Sequence, residues 1–332
     1  MDLIFGRWRS QTLHAGVKLG VFEVTGSAPK SSDDVASEIG TDPALTYRLM
    51  RALACIGLLV EDDRRRFSVT EAGATLGSTH PQSLRAVTLL EEGQEHYALW
   101  THLCDMVKEG RQNAFVREFG HMAFDHTAAD PAGYGVTFNE AMTSYSNVQT
   151  ALVLEAMGVR GMPDTAHLCD IAGGHGHLLC HLVASKPGLT GTVIDLPNVV
   201  GDGTGLWADR LNLGGRVNYV GGDMFKGVPS ADLYFMKLIL HDWDDDECVQ
   251  ILQNARRAAK PGARLFIVEH LVTGPDTPHF AKLFDIHMMC WGTGRERTPE
   301  EYAGLLARAG WTYQETWYPA TRLMGLVEGS KD

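Results

Sequence analysis

The sequence predicts an α/β protein in which a doubly wound parallel sheet follows a mainly helical N-terminal domain. Its 332 residues exceed the roughly 100 to 200 that one domain usually takes. After Pro163, apolar runs of strand length alternate with helical stretches, of which 244–259 is the clearest. Strands that are covered on both faces have such continuous apolar runs. The runs are AHLCDIAG, GTVIDLP, RVNYVGGDMF, DLYFMKLIL and RLFIVEHL.

The N-terminal elements follow from capping signals. Residues 11–24 have helical apolar spacing, and a Ser-Ser-Asp-Asp cluster from Ser31 can cap a second helix that runs through Ile39. A third helix begins at Asp42, carries leucines at helical spacing and ends at Gly57. The segments LLVED and FSVTEAG then predict a short hairpin. Three helices and a hairpin indicate a winged-helix-like domain.

The charge distribution argues against nucleic-acid and membrane partners. The chain has 29 Lys and Arg against 41 Asp and Glu, a formal net charge of -12, which repels phosphate backbones and anionic lipids. The third helix carries only Arg48 and Arg51 among apolar residues, so we expect it to be buried rather than to enter a DNA groove. Arg7 and Arg9 interrupt the opening segment, and no run of about 18 apolar residues occurs. We therefore expect a cytoplasmic protein.

Ligands of doubly wound proteins bind at the carboxyl ends of the strands. The first predicted strand ends in a glycine loop that contains Gly173 and Gly174, and glycines let the backbone approach a ligand closely. A dinucleotide fingerprint would need Gly or Ala where Leu179 stands, and no P-loop sequence occurs. The glycine loop alone therefore does not identify the class of ligand.

The next two strand ends point to a nucleoside. Asp195 ends the second predicted strand, where a carboxylate can accept hydrogen bonds from both ribose hydroxyls. The third ends in Asp223, Met224 and Phe225, which offer a carboxylate and an apolar wall to an adenine. A nucleoside without phosphates fits this set better than NAD does.

A histidine follows the fourth predicted strand. His241 and Asp242 come directly after an apolar run, Glu269 ends the fifth strand, and Glu296 lies in GRERTPEEY. A histidine oriented by carboxylates is the arrangement that a general base needs. The alternatives are a structural histidine and solvated or capping glutamates.

Three further histidines form the pattern HxHxxxH at His175, His177 and His181. The last two have the spacing of zinc ligands on a helix, but no nearby cysteine or carboxylate completes a set. We expect them to pack on the helix after the glycine loop, and we expect no metal.

These motifs resemble one family: small-molecule S-adenosylmethionine-dependent O-methyltransferases of the caffeate, isoflavone and acetylserotonin type, with bacterial relatives that act on phenazines and polyketides. The similarity runs over nearly the whole chain, through the motifs LGVFEV, YRLMRALACIGLL, FNEAM, DIAGGHG, IDLP, GGDMF, LHDWDDDEC, VEH and ERTPEEY. It implies a class I methyltransferase sheet at 95–332, including a helical substrate-lining segment at 95–157. It also implies a winged-helix-like dimerisation domain at 1–94, and hence a homodimer.

The resemblance assigns a role to each candidate site residue. S-adenosylmethionine would be the cofactor and a small aromatic hydroxyl compound the substrate, with His241 as general base flanked by Glu269 and Glu296. The cofactor contacts implied are Gly173, Gly174, Asp195, Asp223, Met224, Phe225, Lys237 and, near the sulfur, Ser146. The acceptor contacts implied are Phe138, Met142, Tyr145, Met288, Trp291 and Asp242.

Two departures from the family pattern bear on function. Ala172 stands where the family has Gly, and its methyl group narrows the space in which the backbone approaches the cofactor. His175 stands where the family has Thr or Ser and adds a titratable group near the cofactor. Trp291 replaces the amide that recognises catechols in plant enzymes, so the sequence favours a flat polycyclic phenol over a hydroxycinnamate.

Other functions of the same fold stay open at this point. Some family members use the fold and cofactor for pericyclic or decarboxylating chemistry, and a winged-helix regulator could sense the nucleoside. For methyl transfer we expect His241 to be a base of ordinary pKa, about 6.5, that deprotonates a phenol of pKa about 10.

Overall fold

The computed structural model describes residues 1–158 and 162–332, together with the backbone of 159–161. The chain forms two compact units: the first contains Met1–Thr101 and Phe124–Tyr145, and the second contains His102–Ala123 and Ser146–Asp332. Because the units interleave along the chain, no single boundary separates them, and our division after residue 94 stays a prediction.

Helix ends in the first unit follow the predicted caps. Ser31 Oγ accepts a hydrogen bond from the Asp34 N–H (3.2 Å), and Asp42 Oδ1 accepts one from the Leu45 N–H (2.8 Å). Gly20, at φ 82°, divides the helix predicted at 11–24 into two. The helices up to Gly161 are α1 Gly6–Lys18, α2 Val21–Val24, α3 Ser32–Ile39, α4 Pro43–Cys55, α5 Glu71–Ala74, α6 Arg85–Glu91, α7 Gln94–Leu99, α8 Leu103–Glu109, α9 Ala114–Phe119, α10 Ala123–Ala129 and α11 Tyr134–Gly161, the last interrupted at Gly158.

The predicted hairpin is present in the first unit. Its strands are β2 Leu59–Glu61 and β3 Arg66–Val69, and a short strand β1 Lys30–Ser31 pairs with the other side of β3. Helix α4 buries Met50 and Leu53 completely but exposes 60% of Leu45. The expectation that the third helix is buried therefore holds for one face only.

The second unit contains a seven-stranded sheet in the order β6-β5-β4-β7-β8-β10-β9. The strands are β4 Thr165–Ile171, β5 Gly188–Asp195, β6 Val217–Gly221, β7 Leu233–Lys237, β8 Arg264–Glu269, β9 Thr312–Trp317 and β10 Gly325–Ser330. The five strands predicted from apolar runs are parallel, which confirms the doubly wound sheet. The antiparallel pair β9 and β10 was not predicted.

Both faces of this sheet are buried. Cys169 and Ile171 of β4 pack into one apolar cluster, while Leu168 of the same strand packs into another on the opposite face. The helices after Gly161, all in this unit, are α12 His177–Ala184, α13 Pro197–Val200, α14 Trp207–Arg210, α15 Asp245–Ala258, α16 Phe280–Trp291 and α17 Pro299–Arg308. Within the described residues, no helix has both the length and the apolar composition needed to cross a membrane.

Capping boxes fix the two helices next to the candidate site. Asp244 caps α15 and exchanges hydrogen bonds with Glu247, and Thr298 caps α17 in the same way with Glu301. The segments that carry His241 and Glu296 precede these helix starts directly, so the caps set the direction in which both segments enter the fold.

Candidate active site

His241 lies in a 3-10 turn, Leu240–Asp242, that follows the carboxyl end of β7. Only 5% of the residue is exposed. Glu269, at the end of the neighbouring strand β8, fixes this turn because its Oε1 accepts hydrogen bonds from the N–H groups of Ile239 (3.2 Å) and Leu240 (3.0 Å). The parallel pairing of β7 with β8 thus brings His241 and Glu269 together.

Three carboxylates surround the imidazole. His241 Nδ1 lies 2.7 Å from Glu296 Oε1 and 3.6 Å from Glu269 Oε2, and Nε2 lies 3.7 Å from Asp242 Oδ1. A carboxylate only accepts hydrogen bonds, so Nδ1 donates to Glu296 and carries a proton. The structure therefore brings together the three residues that the sequence assigned to catalysis.

The carboxylates change the pKa of His241. Burial acts to lower this pKa, but the negative charges of Glu269, Asp242 and Glu296 outweigh burial and raise it to about 10. The expectation of an ordinary value near 6.5 is wrong, because the imidazolium is stabilised by more than one carboxylate. Burial also raises the pKa of Glu269 to about 7 and that of Asp242 to about 6.

Two oxygens of this cluster are not hydrogen-bonded. Glu269 Oε2 and Glu296 Oε2 are buried and have no hydrogen-bond partner among the described residues. The ligand atoms of His241, Glu269 and Glu296 lie within 4.8 Å of one another, close enough to hold a metal ion. The short Nδ1 to Oε1 contact is already explained by a hydrogen bond, and the absence of a metal stays a prediction.

The glycine loop after β4 has the backbone that its sequence indicates. Ala172, Gly174 and Gly176 have positive φ angles of 54°, 58° and 81°. A Cβ on Gly173 would lie 2.6 Å from the Asp170 carboxylate, so only glycine fits there. Asp195 Oδ2 accepts a hydrogen bond from the Gly174 N–H (2.7 Å), which ties the ends of β4 and β5 together.

The other predicted cofactor residues lie at adjoining strand ends. Asp223 Oδ1 accepts a hydrogen bond from the Phe225 N–H (2.9 Å), and the Met224 carbonyl accepts one from Asn254 (2.7 Å). Lys237, at the end of β7, donates to Gln149 Oε1 (3.1 Å).

Lys237 is a buried lysine that interacts with two acidic groups. Burial lowers its pKa, and the charges of Asp170 and Glu269 oppose that effect. Burial raises the pKa of Asp170, which Lys237 in turn lowers. Lys237 therefore connects the glycine loop electrostatically with the cluster at His241.

The predicted acceptor residues belong to both units. Met288 and Trp291 lie on α16 and are buried, and the Trp291 side chain is hydrogen-bonded to Asp242. Phe138, Met142 and Tyr145 lie on α11 in the first unit. Ser146 lies on the same helix, in the second unit, and is buried.

The histidines after the glycine loop pack against one another. The rings of His177 and His181 are stacked with centroids 4.3 Å apart, and Trp207 packs edge-on against His177 at 4.3 Å. Thr150 Oγ1 lies 2.8 Å from His177 Nδ1. Burial lowers the pKa of His177 to about 3, so the ring is neutral at physiological pH. This geometry agrees with the packing role expected from the sequence.

Sequence reasoning missed three residues beside the site. Gln149 accepts from Lys237, Phe284 lies 5.8 Å from the His241 ring, and Arg297 hydrogen-bonds the turn that holds His241. Of these three residues, only Arg297 could have been found from the sequence. It lies between the candidate residue Glu296 and Thr298, which begins the capping box of α17, so its backbone position is fixed on both sides.

Comparison with known proteins identifies the family. Residues 100–312 match the family model of the O-methyltransferase domain, and residues 1–79 match that of the O-methyltransferase dimerisation domain. The chain belongs to the O-methyltransferase family. It is an S-adenosylmethionine-dependent O-methyltransferase that carries the family's dimerisation domain, and methyl transfer is supported over the non-methylating and regulatory alternatives.

Named relatives span nearly the whole enzyme. Phenazine O-methyltransferase PhzM of Lysobacter antibioticus is 32% identical over 329 residues, which cover 99% of this chain and 94% of the relative. Acetylserotonin O-methyltransferase of Bos taurus is 33% identical over 313 residues, 91% and 88% of the two chains. The mitomycin biosynthesis 6-O-methyltransferase of Streptomyces lavendulae is 31% identical over 314 residues, 93% and 87%.

Solved structures give the same result. The crystal structure of LaPhzM superposes with a TM-score of 0.92 at 32% identity and covers 100% of this O-methyltransferase and 98% of that chain. Human N-acetylserotonin methyltransferase, in complex with SAM, superposes with a TM-score of 0.87 at 28% identity and covers 99% and 96%. The class I methyltransferase fold predicted from the sequence is confirmed.

The residues predicted to bind the cofactor lie at strand ends of this O-methyltransferase. The space beside Gly173 admits no side chain, and the Asp195 carboxylate is fixed by the backbone of the same loop. The residues that we expect to hold the methionine part, the ribose and the adenine thus follow one another along the ends of β4, β5 and β6.

Proposed function

We propose that this enzyme methylates a hydroxyl of a small aromatic natural product, with His241 as the general base. The observation that carries the proposal is the 2.7 Å hydrogen bond between His241 Nδ1 and Glu296, with Glu269 on the same side of the ring. This hydrogen bond fixes the imidazole in one orientation and occupies Nδ1 as a donor. Nε2 is therefore the nitrogen that can accept a proton.

A row of stacked rings on α16 supports a planar, multi-ring acceptor. Successive rings are nearly parallel: Phe280 and Phe284 at 25°, Phe284 and His287 at 13°, and His287 and Trp291 at 16°. Phe284 is also the ring nearest to His241 on this helix. Flat aromatic compounds bind well against such surfaces, and two of the relatives are a phenazine O-methyltransferase and a mitomycin biosynthesis 6-O-methyltransferase.

The wider acceptor site stays a proposal. In the second unit the Trp291 side chain is hydrogen-bonded to Asp242, and Met288 lies on the same helix as Trp291. The acceptor contacts of Phe138, Met142 and Tyr145, the homodimer and the cytoplasmic location are proposals of the same kind. The homodimer would be excluded if light scattering at micromolar concentration gave the mass of a single chain.

The carboxylates around His241 match the base to its substrate. When bound, S-adenosylmethionine supplies an electrophilic methyl group. Glu296 holds the Nδ1 proton while Nε2 accepts the hydroxyl proton, and all three carboxylates stabilise the resulting imidazolium. With the pKa of His241 at about 10, transfer from a phenol of pKa about 10 is nearly balanced, whereas transfer to an ordinary histidine would be uphill by about 5 kcal/mol.

This advantage has a cost at neutral pH. A base whose pKa is about 10 is neutral in only about one molecule in a thousand at pH near 7. Because the base must be neutral to accept a proton, methyl transfer is expected to rise with pH over the whole range below pH 10.

The test is a labelling experiment with an active-site variant. The enzyme is incubated with methyl-labelled S-adenosylmethionine and a set of polycyclic phenols, and labelled ether and S-adenosylhomocysteine are quantified. We expect His241→Ala to lose methyl transfer by about 10² to 10⁴-fold while calorimetric binding of S-adenosylhomocysteine is retained. Undiminished methylation by this variant would exclude His241 as the base.

A further inference from the structure

Arg297 is a fully buried charge beside the catalytic turn. Its exposure is 0%, and it is the largest of the fully buried side chains among the described residues. Burying a guanidinium costs free energy unless its N–H groups find acceptors. Each of its three side-chain nitrogens donates to an oxygen, so these acceptors show what the residue holds.

Two of these acceptors lie on either side of His241 and Asp242 in the sequence. Nη1 donates to the Leu240 carbonyl (2.9 Å), and Nη2 donates to the Trp243 carbonyl (2.9 Å). Leu240 directly precedes His241 and Asp242, and Trp243 directly follows them. One planar group therefore fixes the distance between the two ends of the segment that carries the imidazole.

The remaining bonds anchor the guanidinium itself. Nε (2.9 Å) and Nη2 (2.7 Å) both donate to Asp245 Oδ1, and Nη1 also donates to the Arg295 carbonyl (3.2 Å). Asp245 is the first residue of α15, whose capping box fixes its position. The guanidinium is thus held between a helix start and the 295–297 segment.

The adjacent residue holds the side chain of the same histidine. Glu296 Oε1 accepts from His241 Nδ1 at 2.7 Å, while Arg297 binds the backbone on both sides. Two consecutive residues therefore control the orientation of the imidazole and the position of its backbone.

We propose that Arg297 is a positioning residue for methyl transfer: it holds the Leu240–Trp243 segment so that His241 meets Glu296 and the acceptor hydroxyl. The proposal rests on the proposed role of His241 as base. Lysine cannot replace this residue, because one ammonium nitrogen cannot reach two carbonyls and a carboxylate in the geometry of a planar fork.

The test compares Arg297→Lys with Arg295→Lys. Arg295 belongs to the same segment and also contacts Asp245 (3.4 Å), but among the described residues its side chain donates to the carboxylates of Asp245 and Glu301 and not to a carbonyl of the His241 turn. We expect Arg297→Lys to lower kcat by about 10²-fold, as a misplaced catalytic group does, with little change in the Kd of S-adenosylhomocysteine. Arg295→Lys is expected to keep kcat within about threefold of the parent value.

A spectroscopic readout separates positioning from stability. The proton resonance of His241 Nδ1–H, assigned by its loss in His241→Ala, is expected to shift or broaden in Arg297→Lys and to stay in place in Arg295→Lys. An unshifted resonance together with an unchanged kcat for the folded Arg297→Lys protein would overturn the proposal. A shifted resonance with unchanged kcat would support the positioning of His241 and count against its role as the base.

A second variant covers the case in which Arg297→Lys does not fold. Asp245→Asn removes the charge that anchors the guanidinium but leaves Arg297 and both carbonyls in place. The same shift of the Nδ1–H resonance and a smaller loss of kcat, about tenfold, are expected. If this variant leaves both quantities unchanged, Arg297 does not position His241.

Discussion

The carboxylates that meet at His241 come from separate parts of the sequence. Asp242 is its neighbour, whereas Glu269 ends the next strand and Glu296 lies in a loop beyond α16. The sequence could place His241 and Glu269 together, since adjoining parallel strands end at one edge of the sheet. It could not give a pKa of about 10, because that value depends on distances between side chains.

Removing one carboxylate should change the pH dependence of the reaction. Glu296→Gln deletes a negative charge beside the imidazolium, so the pKa of His241 falls. Activity rises with pH as the imidazole loses its proton, and the rising limb of kcat/KM should therefore move to lower pH by about one to two units. The measurement is a pH profile of kcat/KM with one phenolic acceptor, whose own ionisation is the same for both enzymes.

Glu315→Gln is the matched control for this change. Glu315 is exposed on β9, so its loss removes the same charge from the chain at a distance from the imidazole. Its profile should superpose on that of the parent enzyme. A limb that stays in place in Glu296→Gln would show that His241 does not control it.

At the scale of elements, the loop between α16 and α17 packs directly on the turn that carries His241. A Cβ on Gly294 would overlap the carbonyl oxygen of His241, so the two backbones touch there. Gln112 donates to the carbonyls of Gly292 (3.2 Å) and Gly294 (3.0 Å), which holds this loop from its other side. The position of His241 therefore depends on a glycine that is distant in sequence.

A substitution at this contact should reduce catalysis. Gly294→Ala forces the loop away from the turn, so His241 shifts relative to Glu296, and we expect kcat to fall by about tenfold or more. Gly292→Ala is the control, since its Cβ would be at an ordinary contact distance, 3.6 Å from the Asp242 carbonyl oxygen. The measurement is the kcat of both variants under steady-state conditions. Equal kcat values for Gly294→Ala and Gly292→Ala would contradict the expected effect of the Gly294 contact.

The elements differ in how well the sequence predicts them. Caps at Ser31 and Asp42 gave correct helix starts, because a capping side chain acts within three residues of its own position. Strands β9 and β10 escaped prediction. The first is mostly exposed and the second contains two glycines, and such strands lack the apolar alternation on which a sequence-based prediction relies.

At the scale of the whole molecule, the two units have separate apolar cores. The core of the first unit includes Met50, Leu53 and Phe67, whereas the core residues around the sheet all belong to the second. The predicted cofactor residues also belong to the second unit. Ligand binding should therefore stabilise one unit more than the other.

Calorimetry can test this distribution of stability. S-adenosylhomocysteine at about 100 times its Kd adds about 2.7 kcal/mol to the free energy of unfolding. We expect this to raise the unfolding temperature of the second unit more than that of the first. Gly173→Ala should abolish the shift, because its Cβ would lie 2.6 Å from the Asp170 carboxylate. Gly227→Ala, whose Cβ would contact nothing within 4 Å, should retain it. An equal shift in Gly173→Ala would argue against the glycine loop as the binding site.

The place of β10 has a consequence for synthesis on the ribosome. Residues 325–330 pair with β8 on one side and with β9 on the other. Until they leave the exit tunnel, the strand that ends in Glu269 has an uncovered edge, which is a template for wrong pairing. The Glu269 carboxylate can therefore reach its final environment only after residues 325–330 have emerged, and we expect the nascent chain to depend on chaperones until that moment.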